Sequence, residues 1–150
     1  MTEGQELFEM EKGSIVSLYN QDFVVEELVK LHKGSCNYLL KDGATVKWLC
    51  VRNLGAVVPV LCDQVALEDE SFGETLHYGG IDYRLLAQGK ARAVATSAMG
   101  YPRFVNVSYY DYGAGDDRHF LFIVQSGGQV TALAGETVIS SAIMVFPKPN

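Results

Sequence analysis

Hydrophobic and polar residues alternate along most of the chain, in short runs separated by turn-forming residues. Side chains two residues apart share one face of a strand, so this alternation favours strands with one buried face. The best-marked turn is Asp42-Gly43, a pair suited to the positive φ angles of a tight hairpin. Gly79-Gly80 and the polar corner Asn20-Gln21-Asp22 predict two further hairpins. The predicted fold class is therefore mainly β, with α+β as the alternative, in antiparallel sheets.

Two segments fit this pattern less well. Residues 54–61 contain Pro59, which cannot donate a hydrogen bond to a ladder, so we expect an edge strand or an irregular crossing there. Residues 91–98 are small and apolar, and they suit either a helix or a strand. Val94 and Thr96 favour the strand because β-branched side chains fit a pleated sheet.

The chain also matches itself at an offset of sixty residues. Residues 13–23 align with residues 73–83 without a gap. Downstream, after an insertion, four further residue pairs align: Tyr38 with Tyr110, Leu40 with Tyr112, and Trp48-Leu49 with Phe120-Leu121. We predict a single domain over residues 1–150, in which two pseudo-repeated β units, residues 12–66 and 72–147, pack together.

The predicted duplication has a consequence for binding. Each half alone would expose an apolar sheet face, so the two halves are expected to cover one another about a pseudo-twofold axis. The groove between them is then the expected surface for a ligand or partner. If side chains fill that groove, binding is expected on the outer faces or at an oligomer interface.

Charge and cysteine content narrow the range of partners. The chain has 18 acidic and 12 basic residues and a net charge of −6, which disfavours nucleic acid and anionic membranes as partners. The cysteines Cys36, Cys50 and Cys62 lie in apolar stretches without metal-site spacing, so we expect reduced core thiols. The acidic start lacks the pattern of a signal peptide, and no apolar run is long enough to insert directly into a membrane. These features predict a cytoplasmic protein.

Two groups of residues are candidates for catalysis. His119 lies near Asp116 and Asp117, and a carboxylate raises the proton affinity of an imidazole. His32 and Cys36 would form a thiolate pair if the fold brought them together. The simpler interpretation of His119 and its acidic neighbours is a solvated hairpin loop. The simpler interpretation of His32 and Cys36 is that the fold does not bring them together. We therefore predict no enzyme activity, no metal and no cofactor.

Aromatic and basic side chains supply the candidate binding site. Stacking surfaces and charged contacts are typical of ligand and partner sites. The predicted contact residues are Trp48, Arg103, Tyr110, Tyr112 and Arg118. Alternation places Tyr110 and Tyr112 on one face of a strand, where core packing is the competing interpretation.

A series of glycine, aromatic and acidic positions covers most of the chain. The positions in order are Gly13, Asp22-Phe23, Tyr38, Trp48-Leu49, Asp82-Tyr83, Tyr110-Asp111-Tyr112 and Gly135-Glu136. This order resembles the bacterial domain-of-unknown-function family 4178. The resemblance implies a genetic context and no catalytic residues. Members of this family are often encoded beside homologues of phage-shock protein A, small membrane proteins and polyamine-synthase-like enzymes. Residues 100–102 read Gly-Tyr-Pro, where the family pattern has Gly-Glu-Pro.

The function expected from the sequence is a non-enzymatic interaction or adaptor module that binds protein. The resemblance adds a role in a bacterial envelope-stress system linked to phage-shock protein A. The alternative is a domain that binds or senses a small molecule in an aromatic groove between the halves. A homo-oligomer is compatible with either expectation.

Overall fold

The computed structural model describes residues 4–96 and 101–147, and nearly all of the regular structure in these ranges is strand. The strands are β1 (Ile15–Leu18), β2 (Gln21–His32), β3 (Ser35–Asp42), β4 (Thr45–Asn53), β5 (Val57–Val65), β6 (Thr75–Tyr78), β7 (Ile81–Thr96), β8 (Pro102–Ala114), β9 (His119–Ser126), β10 (Gln129–Thr137) and β11 (Ile143–Phe146). The helical elements are 3-10 turns at Gln5–Phe8 and Ser140–Ala142. Within the described ranges, no helix is long and apolar enough to cross a membrane.

The strands form one antiparallel sheet, and eight of them close into a barrel. The order around the barrel is β2-β3-β4-β5-β10-β9-β8-β7, and the pairing of β7 with β2 closes it. β1 pairs with the first part of β2, and β11 pairs with β1. β6 pairs with the first part of β7. The prediction of a mainly β fold with antiparallel sheets is confirmed.

The turn-forming pairs mark the hairpins well. Gly43, with φ of 60°, lies in the β3–β4 turn, and Gly79-Gly80 joins β6 to β7. The β1–β2 turn lies at Tyr19-Asn20, both with positive φ, one residue before the expected corner. Strand β7 extends as far as Thr96, which confirms the preference for a strand from residue 91. Residues 97–98 of that expectation lie outside the described residues.

The expectation for Pro59 was wrong in one respect. β5 is an inner strand that pairs with β4 on one side and with β10 on the other. Pro59 is accommodated because the ladder to β10 ends at Val60, so β10 requires no N–H from the proline. The carbonyl oxygen of Pro59 accepts a hydrogen bond from the N–H of Val138 at 2.9 Å.

The strands of the two halves pair in the same order, β1 to β5 and β6 to β10. Register shifts occur at Val25/Glu27 and at Leu85/Ala87, sixty positions apart. Leu40 pairs with Val25, and Tyr112 pairs with Leu85, so Leu40 and Tyr112 occupy equivalent positions in the two halves. By the same comparison, the equivalent of Trp48 is Phe122 and not Phe120, which the sequence alignment had suggested. The difference arises because the β8–β9 turn is longer than the β3–β4 turn. The origin of the two halves by duplication is still a prediction, and so are their boundaries.

Four hydrophobic clusters hold the described part of the sheet together. One centres on Tyr38 and Leu49 of the first half and also includes Val138 and Ile143 of the second half, and another lies around Tyr112 and Leu121 of the second half. A third joins the halves across the β5–β10 seam and comprises Cys50, Val60, Cys62, Phe120, Phe122 and Leu133. The fourth joins them at β2 and β7 and comprises Leu31, Ala93 and Val107.

A buried ion pair also links the two halves. Arg52 on β4 is 1% exposed, and its Nε donates to Oδ2 of Asp111 on β8 at 3.2 Å. Its Nη1 donates to Oδ1 of Asn37 at 2.7 Å, and its guanidinium lies 4.2 Å from the ring centroid of Phe122. In the described residues, Arg52 Nη2, Asp111 Oδ1 and Ser35 Oγ have no hydrogen-bond partner.

Candidate functional site

The space between the halves is filled by side chains. Two of the hydrophobic clusters lie there, together with Arg52 and Asp111, and the three residues of the Arg52-Asp111-Asn37 network are all buried. A ligand between the halves would have to displace this packing. With the groove filled, the sequence predicts binding on the outer faces or at an oligomer interface.

Two of the predicted contact residues support the core of the second half. Tyr110 and Tyr112 lie on the same face of β8, as alternation predicts. Tyr112 has no exposed surface, and its hydroxyl donates to the carbonyl of Gly73 at 2.8 Å. Tyr110 is half-buried, and its ring lies 4.9 Å from that of Phe72. In this structure both rings are occupied by packing, and their binding role stays a prediction.

The other three predicted contact residues lie apart from one another. Trp48 packs against the Cys50 and Cys62 cluster and lines a cleft together with Leu39 and Gln64. Arg118, in the β8–β9 turn, pairs with Glu136 at 3.3 Å. Arg103 is exposed near the start of β8. The structure therefore does not bring Trp48, Arg103 and Arg118 into one site.

His119 is held between two carboxylates at the edge of the seam. Its Nδ1 lies 2.5 Å from Asp116 Oδ2, and its Nε2 lies 2.9 Å from Glu136 Oε1. The hydrogen bond with Asp116 raises the pKa of His119, and the N–H groups of Arg118 and His119 lower the pKa of Asp116. These shifts favour the imidazolium form, in which both ring N–H groups donate to a carboxylate. The predicted partner Asp117 is exposed and belongs to none of these contacts.

A shallow cleft of about 460 Å³ lies beside His119. It is lined from both halves, by Tyr19, Leu61 and Asp63 and by Tyr83, His119 and residues 134–138. Both nitrogens of His119 are already engaged by carboxylates, and Asp63 is paired with Lys47 at 2.8 Å. The polar groups here therefore satisfy each other rather than pointing to a ligand.

His32 and Cys36 face different surroundings. His32 is exposed, and its ring lies 5.2 Å from the ring of Tyr109 in the second half. Cys36 is buried in the core of the first half, where burial raises the pKa of its thiol to about 11. A thiolate is therefore disfavoured at this position. In residues 4–96 and 101–147, no group of three His, Cys, Asp or Glu side chains is placed to hold a metal ion.

β7 has an edge that no other described strand covers. It pairs with β6 through residues 81–84 and with β2 through residues 94–96. Between these two ladders, residues 86–93 pair only with β8. We call this segment the open edge. Its backbone is available to an added strand, because unpaired N–H and C=O groups along an edge are a template for pairing.

The side chains beside the open edge form a basic face. The register places the following exposed or half-exposed residues on one outer face of the sheet: Gln88, Lys90 and Arg92 of β7, Phe104, Asn106 and Ser108 of β8, and Gln125 of β9. The guanidinium of Arg92 lies 4.5 Å from the ring centroid of Phe104, which is 61% exposed. A stacked cation beside an exposed aromatic ring is typical of an interaction surface.

The basic face is free of acidic neighbours along the chain. Residues 83–110 contain four basic residues and no Asp or Glu, although the whole chain has a net charge of −6. Among residues 4–96 and 101–147, Lys90, Arg92 and Arg103 are not members of any ion pair. Lys90 and Arg92 were not among the residues predicted from the sequence. The run without carboxylates is the signal that would have found them.

The family comparison covers almost the whole of this architecture. The model of a family described as a domain of unknown function, DUF4178, matches residues 11–140. The chain belongs to this family. No curated protein and no solved structure matches the chain. The DUF4178 match extends from β1 to β10 and so includes the open edge and the basic face, but the family description assigns no activity to them.

Proposed function

We propose that this DUF4178 domain is a non-enzymatic interaction module that binds an extended, acidic segment of a partner protein along β7. The observation that carries the proposal is the open edge, residues 86–93, with Lys90 and Arg92 exposed on it. An extended peptide that joins a sheet edge gains main-chain hydrogen bonds, and the alternate side chains of the edge strand determine which peptide fits. Here those side chains are Gln88, Lys90 and Arg92.

Charge supports an acidic protein segment over nucleic acid. Lys90 and Arg92 attract carboxylates at short range, while the surplus of acidic residues elsewhere in the chain repels a long phosphate backbone. A backbone edge recognises an extended polypeptide, which a nucleic acid is not.

Charge reversal on the open edge is expected to abolish partner capture. In the double variant Lys90→Glu, Arg92→Glu, recovery of the partner from cells of the source organism should fall about tenfold or more, because opposed charges become like charges. The measurement is quantitative affinity purification with the full tagged chain. The matched control is Lys41→Glu, Arg84→Glu, which changes the net charge equally at exposed positions outside the open edge and should retain the partner.

The outcome that would overturn the proposal is equal recovery of the same partners with both double variants. A partner whose captured segment is not acidic would also contradict it. Circular dichroism of both double variants establishes that each is folded. The envelope-stress setting and the cytoplasmic location are further proposals, which rest on the resemblance and on the chain's composition.

A further inference from the structure

A groove runs across the basic face beside the open edge. Its volume is about 620 Å³, and its polar lining consists of Lys90, Arg92, Asn106, Ser108 and Gln125, with the Gly127-Gly128 turn at one end. Lys90 faces Ser108 and Arg92 faces Asn106 across the β7–β8 ladder. Gln125 faces Ser108 across the β8–β9 ladder, so the five side chains come from three adjacent strands.

The groove differs from three other clefts on the described surface in the sign of its charge. Those three contain carboxylates, among them Glu68 and Asp69, Asp63 and Glu136, and Glu27. The groove lining contains two cations and no Asp or Glu. Each of its polar side chains has at least one hydrogen-bond donor, and the lysine and arginine have only donors. A set of convergent donors with positive charge is the chemistry of an anion site.

From this geometry we infer that the groove is an anion site that holds one carboxylate or phosphate group of the bound segment. The inference rests on the proposed function, because Lys90 and Arg92 belong to both the groove and the open edge. A strand added at β7 directs alternate side chains toward the outer face, where the groove lies. One acidic or phosphorylated side chain would then lie between the two cations and accept hydrogen bonds from Asn106, Ser108 or Gln125.

The site is tested with small anions before any partner is known. Inorganic phosphate and acetate are titrated separately into the isotope-labelled full chain at constant ionic strength, with chloride as the balancing anion. The amide resonances of Gly127 and Gly128 and the side-chain amides of Asn106 and Gln125 are followed by NMR. We expect saturable shifts at these positions with phosphate, acetate or both. The anion with the higher affinity indicates whether the natural group is a phosphate or a carboxylate.

Variants that replace the cations with neutral glutamine determine whether the NMR shifts arise from anion binding in this groove. The double variant Lys90→Gln, Arg92→Gln should weaken the anion at least about tenfold, because hydrogen bonds to charged groups are among the strong ones. The control Lys41→Gln, Arg84→Gln should leave the affinity unchanged. The inference is overturned by shifts that do not saturate with either anion, or by equal loss of affinity in the two double variants.

The two proposals can fail separately. If phosphate or acetate saturates the groove but reversing Lys90 and Arg92 leaves partner capture intact, the anion site stands and the proposed function is wrong. If partner capture is lost but neither anion shifts the groove amides, the open edge stands and the anion site is wrong.

Discussion

The single variant Asp111→Leu is expected to lower the free energy of unfolding by about 3–5 kcal/mol, because it leaves Arg52 charged and without its carboxylate. The side chains of Arg52 and Asp111 are 2% and 5% exposed, so water cannot replace the lost partner. The pair joins β4 of the first half to β8 of the second. Chemical denaturation of the variant and the parent chain measures the difference.

The companion variants separate the ion pair from simple packing. Arg52→Met together with Asp111→Leu should recover part of the loss, because two apolar side chains can replace a buried pair at similar volume. Recovery is expected to be partial because Asn37 also loses its donor. Asp63→Leu is the control, since Asp63 belongs to an exposed pair with Lys47 and should cost below about 1 kcal/mol. An Asp111→Leu variant as stable as the Asp63→Leu control would refute this description of the barrel interior.

The variant Gly135→Ala is expected to cost about 3 kcal/mol or more, because the added methyl group has no space at the seam between the halves. A Cβ atom at Gly135 would lie 1.9 Å from the carbonyl oxygen of Leu61 and 2.7 Å from the Cα of Cys62. Both are backbone atoms of β5, so β5 and β10 would have to separate. The thermal midpoint and the denaturation midpoint should both fall.

The control for the seam is another glycine of the same half. Gly115 has no atom within 4 Å of an added Cβ, and its φ angle is not in the left-handed region. Gly115→Ala should therefore change stability by about 0.5 kcal/mol or less. If Gly135→Ala were as harmless as Gly115→Ala, the close contact of β5 with β10 would not exist as described.

The local part of the fold could be predicted from the sequence, because turns and alternation are local properties. Asp42-Gly43 and Gly79-Gly80 gave the hairpins directly. The position of β5 could not be predicted in this way. Pro59 favours an edge strand when it is considered alone, and its compatibility with an inner strand depends on where the β10 ladder ends. That end point is a tertiary feature.

The buried and exposed functional residues were harder to predict for different reasons. Arg52 follows the apolar run Leu49-Cys50-Val51, and this is a signal of a buried charge, but its partner Asp111 is 59 residues away. Tyr112 was chosen for its ring, and only the structure shows that the ring is fully buried. The open edge was not predictable, because it depends on which strands fail to pair with β7.

Hydrogen exchange of the full chain with and without its captured partner tests the central claim most directly. Binding along the open edge predicts slower exchange of backbone amides in residues 86–93, because an added strand would bond to them. Unchanged exchange in those residues, with protection confined to β6, β11 or the seam cleft beside His119, would contradict the account.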